Sequence, residues 1–357
     1  MQPFLRPELA GFEAYHAPVW PEADRLDANE NPHDLPEWLK NKLAYQFEQV
    51  QAANRYPQAN PEALKAAIGE YCGVVPDLVS LGNGSDELIR SILIATCLGS
   101  RGRVLTAEPT FSMYSIIART LGIPYHPLPR TADFAVDLDG LEAAIAHFDG
   151  IQVLFLANPN SPTANLLQPG AIERLRQLPV LVVLDEAYYE FSQYTSVPLL
   201  SEWPNLIVLR TFSKAFRLAS FRVGYALAAP EYVSALEKVR LPYNLPGHSQ
   251  LAALTALEHR DLLLSVIPEI LCERQRLERF LSDFEQLRLY PSDANFLFVR
   301  LLGTDARTLH RQLAERGSLV RAVGGGLRIT IGTPSENDRL IANLAALLSG
   351  RNGRHWP

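Results

Sequence analysis

A series of short apolar runs without polar alternation, in the middle of the chain, limits the fold most strongly. These runs cover residues 151–157, 179–184, 206–209 and 223–229. Strands of a parallel sheet that is covered on both faces have this composition. A helical spacing at 168–178 links the first two runs and predicts a βαβ unit. The sequence therefore predicts an α/β fold whose large domain has a mostly parallel central sheet flanked by helices.

The last third of the chain has a different pattern. Long helical segments surround two strand-like stretches at 295–301 and 326–332, which is typical of an α+β arrangement. We predict an N-terminal arm at 1–32 that packs with the small domain, a large domain at 33–239 and a smaller C-terminal α+β domain at 240–357.

Composition excludes several classes of protein. The formal net charge is -6 and no long basic run occurs, so a nucleic-acid surface is not expected. No apolar run approaches the roughly 18 residues of a membrane helix, and the first residues lack the apolar core of a signal peptide. Cys72, Cys97 and Cys272 are odd in number and far apart, which favours free thiols in a reducing compartment. We expect a cytoplasmic protein.

Polar side chains follow the apolar runs at the points where the predicted strands end. Asn158 follows the first run, Asp185 follows the second, and Lys214 comes shortly after the third. Ligands of open α/β sheets bind outside the carboxyl ends of the strands. An amide, a carboxylate and a lysine should therefore converge on one edge of the sheet.

Lys214 is notable because this chain rarely uses lysine. Only five of its 33 lysines and arginines are lysines. Arginine keeps its proton in proteins, whereas lysine can lose it and become an amine nucleophile. A lysine at a strand end is therefore a candidate for covalent chemistry with an aldehyde.

Pyridoxal phosphate requires the set of groups found here. Its aldehyde needs a lysine such as Lys214, and its ring nitrogen needs a carboxylate such as Asp185. Asn158 and Tyr188 have hydrogen-bonding groups that suit the phenolic oxygen. The phosphate needs a helix N-terminus or a nest of amides, which the stretch GNGSDE at 82–87 offers, and Arg222 adds a bidentate cation.

Taken singly, each of these residues is more simply explained. A lone aspartate after a strand is usually a turn or cap residue, a lone lysine is usually a solvated charge, and GNGS alone is usually a turn. The stretch also departs from G-x-G-x-x-G, because Glu87 stands where the third glycine would be. The order of the residues at successive strand ends is what favours a cofactor site.

With these motifs together, the chain resembles the fold-type-I pyridoxal-phosphate aminotransferases, and among them most closely the histidinol-phosphate aminotransferases. The resemblance covers nearly the whole chain. The motifs that carry it are LDANENP (26–32), NRYP (54–57), GNGSDELI (82–89), EPTFSMY (108–114), ANPNSPT (157–163), LDEAYYEF (184–191), TFSKAFRLASFRVGY (211–225), LPYNLP (241–246), SDANFLFVR (292–300) and LRITIGTPSEND (327–338).

The resemblance implies a role for each matching residue. Lys214 would form a Schiff base with the cofactor, Asp185 would pair with the ring nitrogen, and Tyr188 would act beside them as the third catalytic residue. The residues implied to bind the cofactor are Tyr56, Gly84, Ser85, Asp86, Phe111, Asn158, Asp185, Tyr188, Thr211, Ser213, Lys214 and Arg222. The residues implied to bind the substrate are Tyr15, Asn29, Arg321 and Arg328.

The resemblance also implies a reaction and an assembly. The substrates would be an amino-alcohol phosphate, L-histidinol phosphate, and 2-oxoglutarate, with imidazole acetol phosphate and glutamate as products in histidine biosynthesis. One anion pocket would accept both a phosphate ester and a carboxylate. Tyr56 would reach the cofactor of a neighbouring subunit, which implies a homodimer with shared active sites and no nucleic-acid or membrane partner.

Some positions depart from the family pattern. Ser161 and Ala164 stand where many relatives have asparagine and glycine, and Arg217 stands where many have glycine. We expect these residues to tune loops without abolishing the chemistry.

Two alternatives stay open at this point. The chain could catalyse another reaction of the same scaffold, such as aromatic-amino-acid transamination or threonine-phosphate decarboxylation, because these enzymes share the cofactor residues. It could also be a non-enzymatic protein that keeps the fold, such as the cofactor-binding domain of a regulator. The presence of Lys214, Asp185 and Arg222 together argues against the second alternative.

Overall fold

The computed structural model describes residues 22–50, 52–99, 101–303 and 305–348, together with residues 4, 6, 11 and 12. In chain order, the strands are β1 (Asp24–Arg25), β2 (Val79–Asn83), β3 (Arg103–Glu108), β4 (Tyr125–Pro129), β5 (Ile151–Ala157), β6 (Leu181–Asp185), β7 (Leu206–Thr211), β8 (Val223–Ala228), β9 (Leu287–Tyr290), β10 (Phe296–Leu301), β11 (Ser318–Leu319), β12 (Arg321–Val323) and β13 (Gly326–Thr330). The helices are α1 (Glu37–Gln49), α2 (Glu62–Cys72), α3 (Ser85–Cys97), α4 (Met113–Leu121), α5 (Leu138–His147), α6 (Ala171–Leu175), α7 (Tyr189–Ser192), α8 (Pro230–Val239), α9 (Gly247–Glu258), α10 (Arg260–Leu264), α11 (Ile267–Ser282), α12 (Ala306–Ala314) and α13 (Pro334–Leu348).

The four apolar runs of the sequence form neighbouring strands of one large sheet, as predicted. Among the described residues this sheet has the strand order β2-β8-β7-β6-β5-β3-β4. Its pairs are parallel except those of β8, which runs antiparallel to both β2 and β7. The fourth apolar run was expected to be a further parallel strand, and this expectation was wrong. No long crossover helix separates β7 from β8, so the chain turns back through the loop that carries Lys214 and enters the sheet in the opposite direction.

Helices cover both faces of this sheet, which explains why its strands lack polar alternation. Successive residues of one strand enter different cores, because side chains alternate across a strand. In β5, Leu154 and Leu156 join a core that also contains residues of α2, α5, α6 and α9. Val153 and Phe155 join the opposite core, with residues of α3, α4 and α8. The expected α/β fold is therefore confirmed.

A second, antiparallel sheet follows in the chain. Its strand order is β12-β13-β10-β9, and its apolar side chains pack with α11, α12 and α13 in a core of their own. The short β1 pairs with β11 in parallel, and Leu26 enters this second core.

The domain division predicted at residue 240 stays a prediction. Helix α9 packs against α1 and α2, and Ala252, Ala253 and Ala256 lie in a core of the large sheet. We propose that the division lies after α10, where Ile267 is the first residue of α11 to enter the second core.

Helix α3 directs its N-terminus at the edge where the parallel strands end. Gly84 precedes the helix at φ +75°, a conformation that glycine adopts without the steric cost of a Cβ atom. Asp86 and Glu87 occupy the first turn, where negative charge is favourable, and Leu88 and Ile92 are buried against the sheet. The free backbone N–H groups of the first turn therefore face the candidate site.

Candidate active site

The sheet brings Asn158 and Asp185 side by side. Strand β5 ends at Ala157 and β6 ends at Asp185, and the two residues are partners in the parallel ladder. The backbone N–H of Asn158 donates to the carbonyl of Asp185 at 2.8 Å. Two polar side chains that are 27 positions apart in sequence thus lie at one edge, as the strand-end argument predicted.

Asp185 is a buried carboxylate held by neutral donors. Its Oδ2 accepts from the Tyr114 hydroxyl at 2.8 Å, and its Oδ1 accepts from the backbone N–H of Ala187 at 3.1 Å. Burial raises the pKa of Asp185 to about 6, although these two hydrogen bonds act in the opposite direction. At neutral pH the side chain is a desolvated anion, which strongly favours a cationic ligand group.

Tyr114 is a site residue that sequence reasoning missed. It is fully buried, and burial together with the adjacent Asp185 raises the pKa of its hydroxyl well above the ordinary value, so it stays a donor. A signal was available, because Tyr114 lies in the EPTFSMY motif three residues after Phe111, about one helical turn away. The two rings meet edge to face, with centroids 5.5 Å apart.

Lys214 lies in the loop between β7 and β8, and its side chain is partly buried. Its Nζ donates to the carbonyl of Ala28 at 2.8 Å. Burial lowers the pKa of Lys214, Tyr188 opposes this shift, and the positive charge of Arg328 adds to it. The lowered pKa increases the fraction of neutral amine, which is the nucleophilic form.

Asn158 and Tyr188 each keep hydrogen-bonding capacity in reserve. Asn158 Oδ1 accepts from the backbone N–H of Leu167 at 2.8 Å, which fixes the orientation of the amide. Its Nδ2 is buried and has no partner among the described residues. The Tyr188 oxygen accepts from Asn29 Nδ2 at 2.8 Å, which leaves its O–H able to donate. Two donors are thus held where an oxygen of a ligand would satisfy them.

Hydroxyl groups and a guanidinium gather beside the N-terminus of α3. The Thr211 hydroxyl donates to Ser213 Oγ at 3.0 Å, and Arg222 Nη1 donates to the same oxygen at 3.3 Å. Arg222 also pairs with Asp86 at 3.3 Å. We call Gly84, Ser85, Thr211, Ser213 and Arg222 the anion cradle.

The anion cradle depends on two glycines. A Cβ atom on Gly84 would lie 2.6 Å from Arg222 Nη2, and one on Gly224 would lie 2.5 Å from the backbone nitrogen of Ser85. The guanidinium and the start of α3 approach the backbone this closely only because side chains are absent.

Two arginines lie side by side on neighbouring strands of the second sheet. Arg321 in β12 and Arg328 in β13 are register partners. Arg328 donates to Ser161 Oγ at 3.0 Å, so it reaches from the small sheet to the loop that follows β5. The two positive charges therefore lie on neighbouring strands of the second sheet.

Comparison with known proteins shows the family of this chain. The sequence model of a family described as aminotransferase class I and II matches residues 24–344. The chain belongs to this aminotransferase family. The expectation of an aminotransferase enzyme is thereby confirmed.

Similar proteins are known in several bacteria. A histidinol-phosphate aminotransferase of Gloeobacter violaceus is 68% identical over 98% of this chain and 99% of its own length. One from a Synechococcus strain is 50% identical over 97% of this chain and 98% of its own length. The crystal structure of histidinol-phosphate aminotransferase from Sinorhizobium meliloti in complex with pyridoxal-5'-phosphate matches with a TM-score of 0.86, at 27% identity and covering 98% of both chains.

Three other residues that the sequence predicted for the site are Asn29, Tyr15 and Tyr56, and they differ in where they lie. Asn29 is buried, and its amide is engaged with Tyr188 and with the Thr330 hydroxyl at 3.1 Å, so it links the two sheets. Tyr15 lies outside the described residues. Tyr56 is 81% exposed and its ring stacks on Tyr243 with centroids 4.6 Å apart. Within the described part of its own chain, Tyr56 makes no hydrogen bond to the anion cradle.

The described residues contain no helix that combines the length and the hydropathy of a membrane span.

Proposed function

We propose that this aminotransferase transfers the amino group of L-histidinol phosphate to 2-oxoglutarate, giving imidazole acetol phosphate and glutamate in histidine biosynthesis. The observation that carries the proposal is the position of Lys214, whose Nζ lies 6.0 Å from the centre of the Tyr188 ring, in the same site as the buried carboxylate of Asp185. The names of relatives at 68% and 50% identity support this choice of substrate.

The residues present fit pyridoxal phosphate as the cofactor. Asn158 Nδ2 is a buried donor with no partner among the described residues, and it suits the phenolic oxygen. Asp185 suits the protonated ring nitrogen, and the anion cradle suits the phosphate. The crystal structure of the Sinorhizobium meliloti relative is a complex with pyridoxal-5'-phosphate, which supports the fit.

The side chains of this chain divide the work of the reaction. When bound, pyridoxal phosphate supplies an electron sink for the carbanion that forms at the substrate Cα. Lys214 Nζ would remove the proton from the substrate Cα as general base and would deliver it, as general acid, to the C4′ carbon of the cofactor. Asp185, oriented by Tyr114 and Ala187, keeps a negative charge at the ring nitrogen. Tyr188 donates from its hydroxyl beside Asn158.

One pocket must bind the phosphate of histidinol phosphate and a carboxylate of glutamate in turn. We propose that Arg328 and Arg321 supply this pocket, with Tyr15 as a further candidate. A guanidinium binds either anion through two parallel hydrogen bonds, so a single arginine pair serves both halves of the reaction.

We further propose a cytoplasmic homodimer in which Tyr56 serves the partner's cofactor. Tyr56 is exposed in its own chain, and Tyr243 supports its ring from one side. A two-fold dimer would place each Tyr56 in the other chain's site, because an isologous interface uses the same surface twice.

The direct test is an assay of glutamate formed from histidinol phosphate and 2-oxoglutarate by the purified protein. Parallel reactions with phenylalanine and with threonine phosphate separate the related activities, and release of carbon dioxide identifies a decarboxylase. The proposal predicts that histidinol phosphate has the highest kcat/KM. A higher kcat/KM for another amino donor, or release of carbon dioxide, would overturn the substrate assignment.

A further inference from the structure

Arg217 occupies a backbone conformation that disfavours a side chain. It lies at φ +62°, in the left-handed region that glycine adopts most easily. Its backbone N–H donates to the carbonyl of Lys214 at 3.3 Å, so it closes the turn that carries the lysine. A residue with this backbone strain, three positions after Lys214, needs a compensating interaction.

The side chain of Arg217 supplies that compensation by binding two distant backbone groups. Its Nη1 donates to the carbonyl of Asp34 at 2.9 Å, and its Nη2 donates to the carbonyl of Leu263 at 2.8 Å. Asp34 lies just before α1, and Leu263 lies in α10. One guanidinium therefore connects the lysine loop to the N-terminal segment and to the helix that precedes α11.

The guanidinium of Arg217 donates hydrogen bonds to backbone carbonyls and not to the Asp34 carboxylate. The carboxylate of the nearby Asp34 pairs with Lys40, while Arg217 binds the backbone carbonyl of the same residue. Burial lowers the pKa of Arg217, with Asp34 acting in the opposite direction. Its guanidinium spans two carbonyls at once, which a shorter or single-headed side chain could not do.

The segment 28–34 crosses the lysine loop and touches it at three points. The carbonyl of Ala28 accepts from Lys214 Nζ at 2.8 Å, and Asn31 Nδ2 donates to the carbonyl of Ala215 at 3.2 Å. The third contact is that of Arg217 with Asp34. The first contact ends whenever Lys214 reacts, and the other two then remain as the hydrogen bonds between the segment and the lysine loop.

Segment 28–34 also makes hydrogen bonds with Tyr188 of the site and with Asn295 beside the second sheet. Asn29 donates to the Tyr188 hydroxyl at 2.8 Å, and the backbone carbonyl of Asn29 accepts from Asn295 Nδ2 at 3.2 Å. A shift of the segment would therefore move Tyr188 and loosen the link to the second sheet.

We propose that Arg217 is a positioning residue that fastens segment 28–34 and α10 to the lysine loop, and that this fastening keeps Tyr188 and Lys214 aligned while Lys214 is engaged with substrate. The inference rests on the proposed role of Lys214. It predicts a loss of turnover without a loss of cofactor when the fastening is removed.

Two substitutions separate the fastening from the backbone strain. Arg217→Gly removes both the side-chain contacts and the strain, whereas Arg217→Ala removes the contacts and keeps the strain. Gln193→Gly is a matched control, because Gln193 is an exposed residue at φ +57° at the end of α7. The measurements are amide hydrogen exchange over residues 28–36 with and without pyridoxal phosphate, thermal unfolding, and the single-turnover rate of the loaded enzyme with its amino donor.

Both Arg217 variants should show about tenfold faster exchange in 28–36, as the loss of the hydrogen bond to the Asp34 carbonyl implies. Both should also show about a tenfold slower single turnover with unchanged cofactor absorbance, and Arg217→Gly should unfold at a higher temperature than Arg217→Ala. Gln193→Gly should change neither exchange nor turnover.

Wild-type exchange over 28–36 in Arg217→Gly would overturn the inference, and this measurement does not depend on any activity. Wild-type turnover in both variants, with faster exchange, would overturn the link to catalysis. An inactive wild-type protein would instead contradict the proposed function, while the exchange data would still decide whether Arg217 fastens the segment.

Discussion

At the scale of single residues, the site is built from ionisable groups that the fold removes from water. Asp185 has neutral hydrogen-bond donors, and its pKa rises to about 6 because of burial. Lys214 has the opposite shift from the same cause. Asp185 is an anion without a cationic partner among the described residues, and Lys214 is an amine that loses its proton easily. One protonated, aldehyde-bearing ring would satisfy both groups.

Asp185→Asn should keep cofactor binding and lose most of the turnover. The amide preserves the shape of the site, but it cannot stabilise a positive charge at the ring nitrogen. We expect a single-turnover rate that is lower by roughly 100-fold or more, measured by stopped-flow absorbance with the amino donor. Turnover at the wild-type rate would show that Asp185 is only a structural turn residue.

Glu190 offers a test of burial that is independent of catalysis. Burial raises its pKa to about 7, although the charge of Arg210 opposes the shift, and Tyr71 donates to its Oε1 at 3.2 Å. A carboxyl whose pKa is raised by folding stabilises the folded state at low pH, and this contribution is lost as the pH rises through about 7.

Glu190→Gln should therefore become more stable relative to the wild type as the pH rises. Between pH 5 and pH 8 the difference in unfolding free energy should shift in favour of the variant by on the order of 2 kcal/mol. Urea unfolding at the two pH values measures this shift, and Glu48→Gln on the exposed face of α1 is the control. A difference that does not change with pH would contradict the assignment of a buried, protonatable Glu190.

At the scale of elements, the strand ends and the start of α3 determine where the ligand groups meet. The sequence was sufficient to predict β5, β6 and β7, because buried parallel strands have continuous apolar runs. It was sufficient for Asn158, Asp185 and Lys214, because they follow those runs. It was insufficient for the direction of β8, which depends on the path of the loop, and for Tyr114, whose contact with Asp185 needs the packing of α4 on the sheet.

Gly84→Ala tests whether the start of α3 needs a bare backbone. The new Cβ would lie 2.6 Å from Arg222 Nη2 and would displace the guanidinium from the anion cradle. We expect the affinity for pyridoxal phosphate to fall by about tenfold or more, as loss of a charge-assisted contact implies.

Gly170→Ala is the matched control for that change. Gly170 also has a positive φ, +77°, but an added Cβ would meet nothing within 4 Å. Both variants should lose about 1 kcal/mol of stability through backbone strain, while only Gly84→Ala should lose cofactor in a fluorescence titration. Equal affinities in the two variants would show that Arg222 does not depend on Gly84.

At the scale of the whole molecule, the proposed homodimer would cover apolar side chains that are exposed in the single chain. Tyr45, Val50, Tyr56 and Leu241 are each at least 64% exposed. Tyr56 adds a functional reason, because within the described residues it makes no hydrogen bond to the anion cradle of its own chain and is 81% exposed. We expect a two-fold dimer in which each active site uses both chains.

Hybrid dimers test the shared site. In a mixture of Tyr56→Phe and Lys214→Ala proteins, one site of each heterodimer collects both lesions and the other site has neither. A fraction of the sites should then regain wild-type kinetics once subunit exchange has been verified. If Tyr56 serves its own chain, every site keeps one lesion and no wild-type component appears.

Borohydride reduction of the cofactor-loaded protein, followed by peptide mapping, tests directly whether Lys214 binds the cofactor covalently. The chain offers five lysines, Lys40, Lys42, Lys65, Lys214 and Lys238, and of these Lys214 alone follows β7 at the strand-end edge of the large sheet. We expect one stable pyridoxyl label on the peptide that contains Lys214, and no label in Lys214→Arg. A label on any other lysine, or a labelled Lys214→Arg protein, would contradict this expectation.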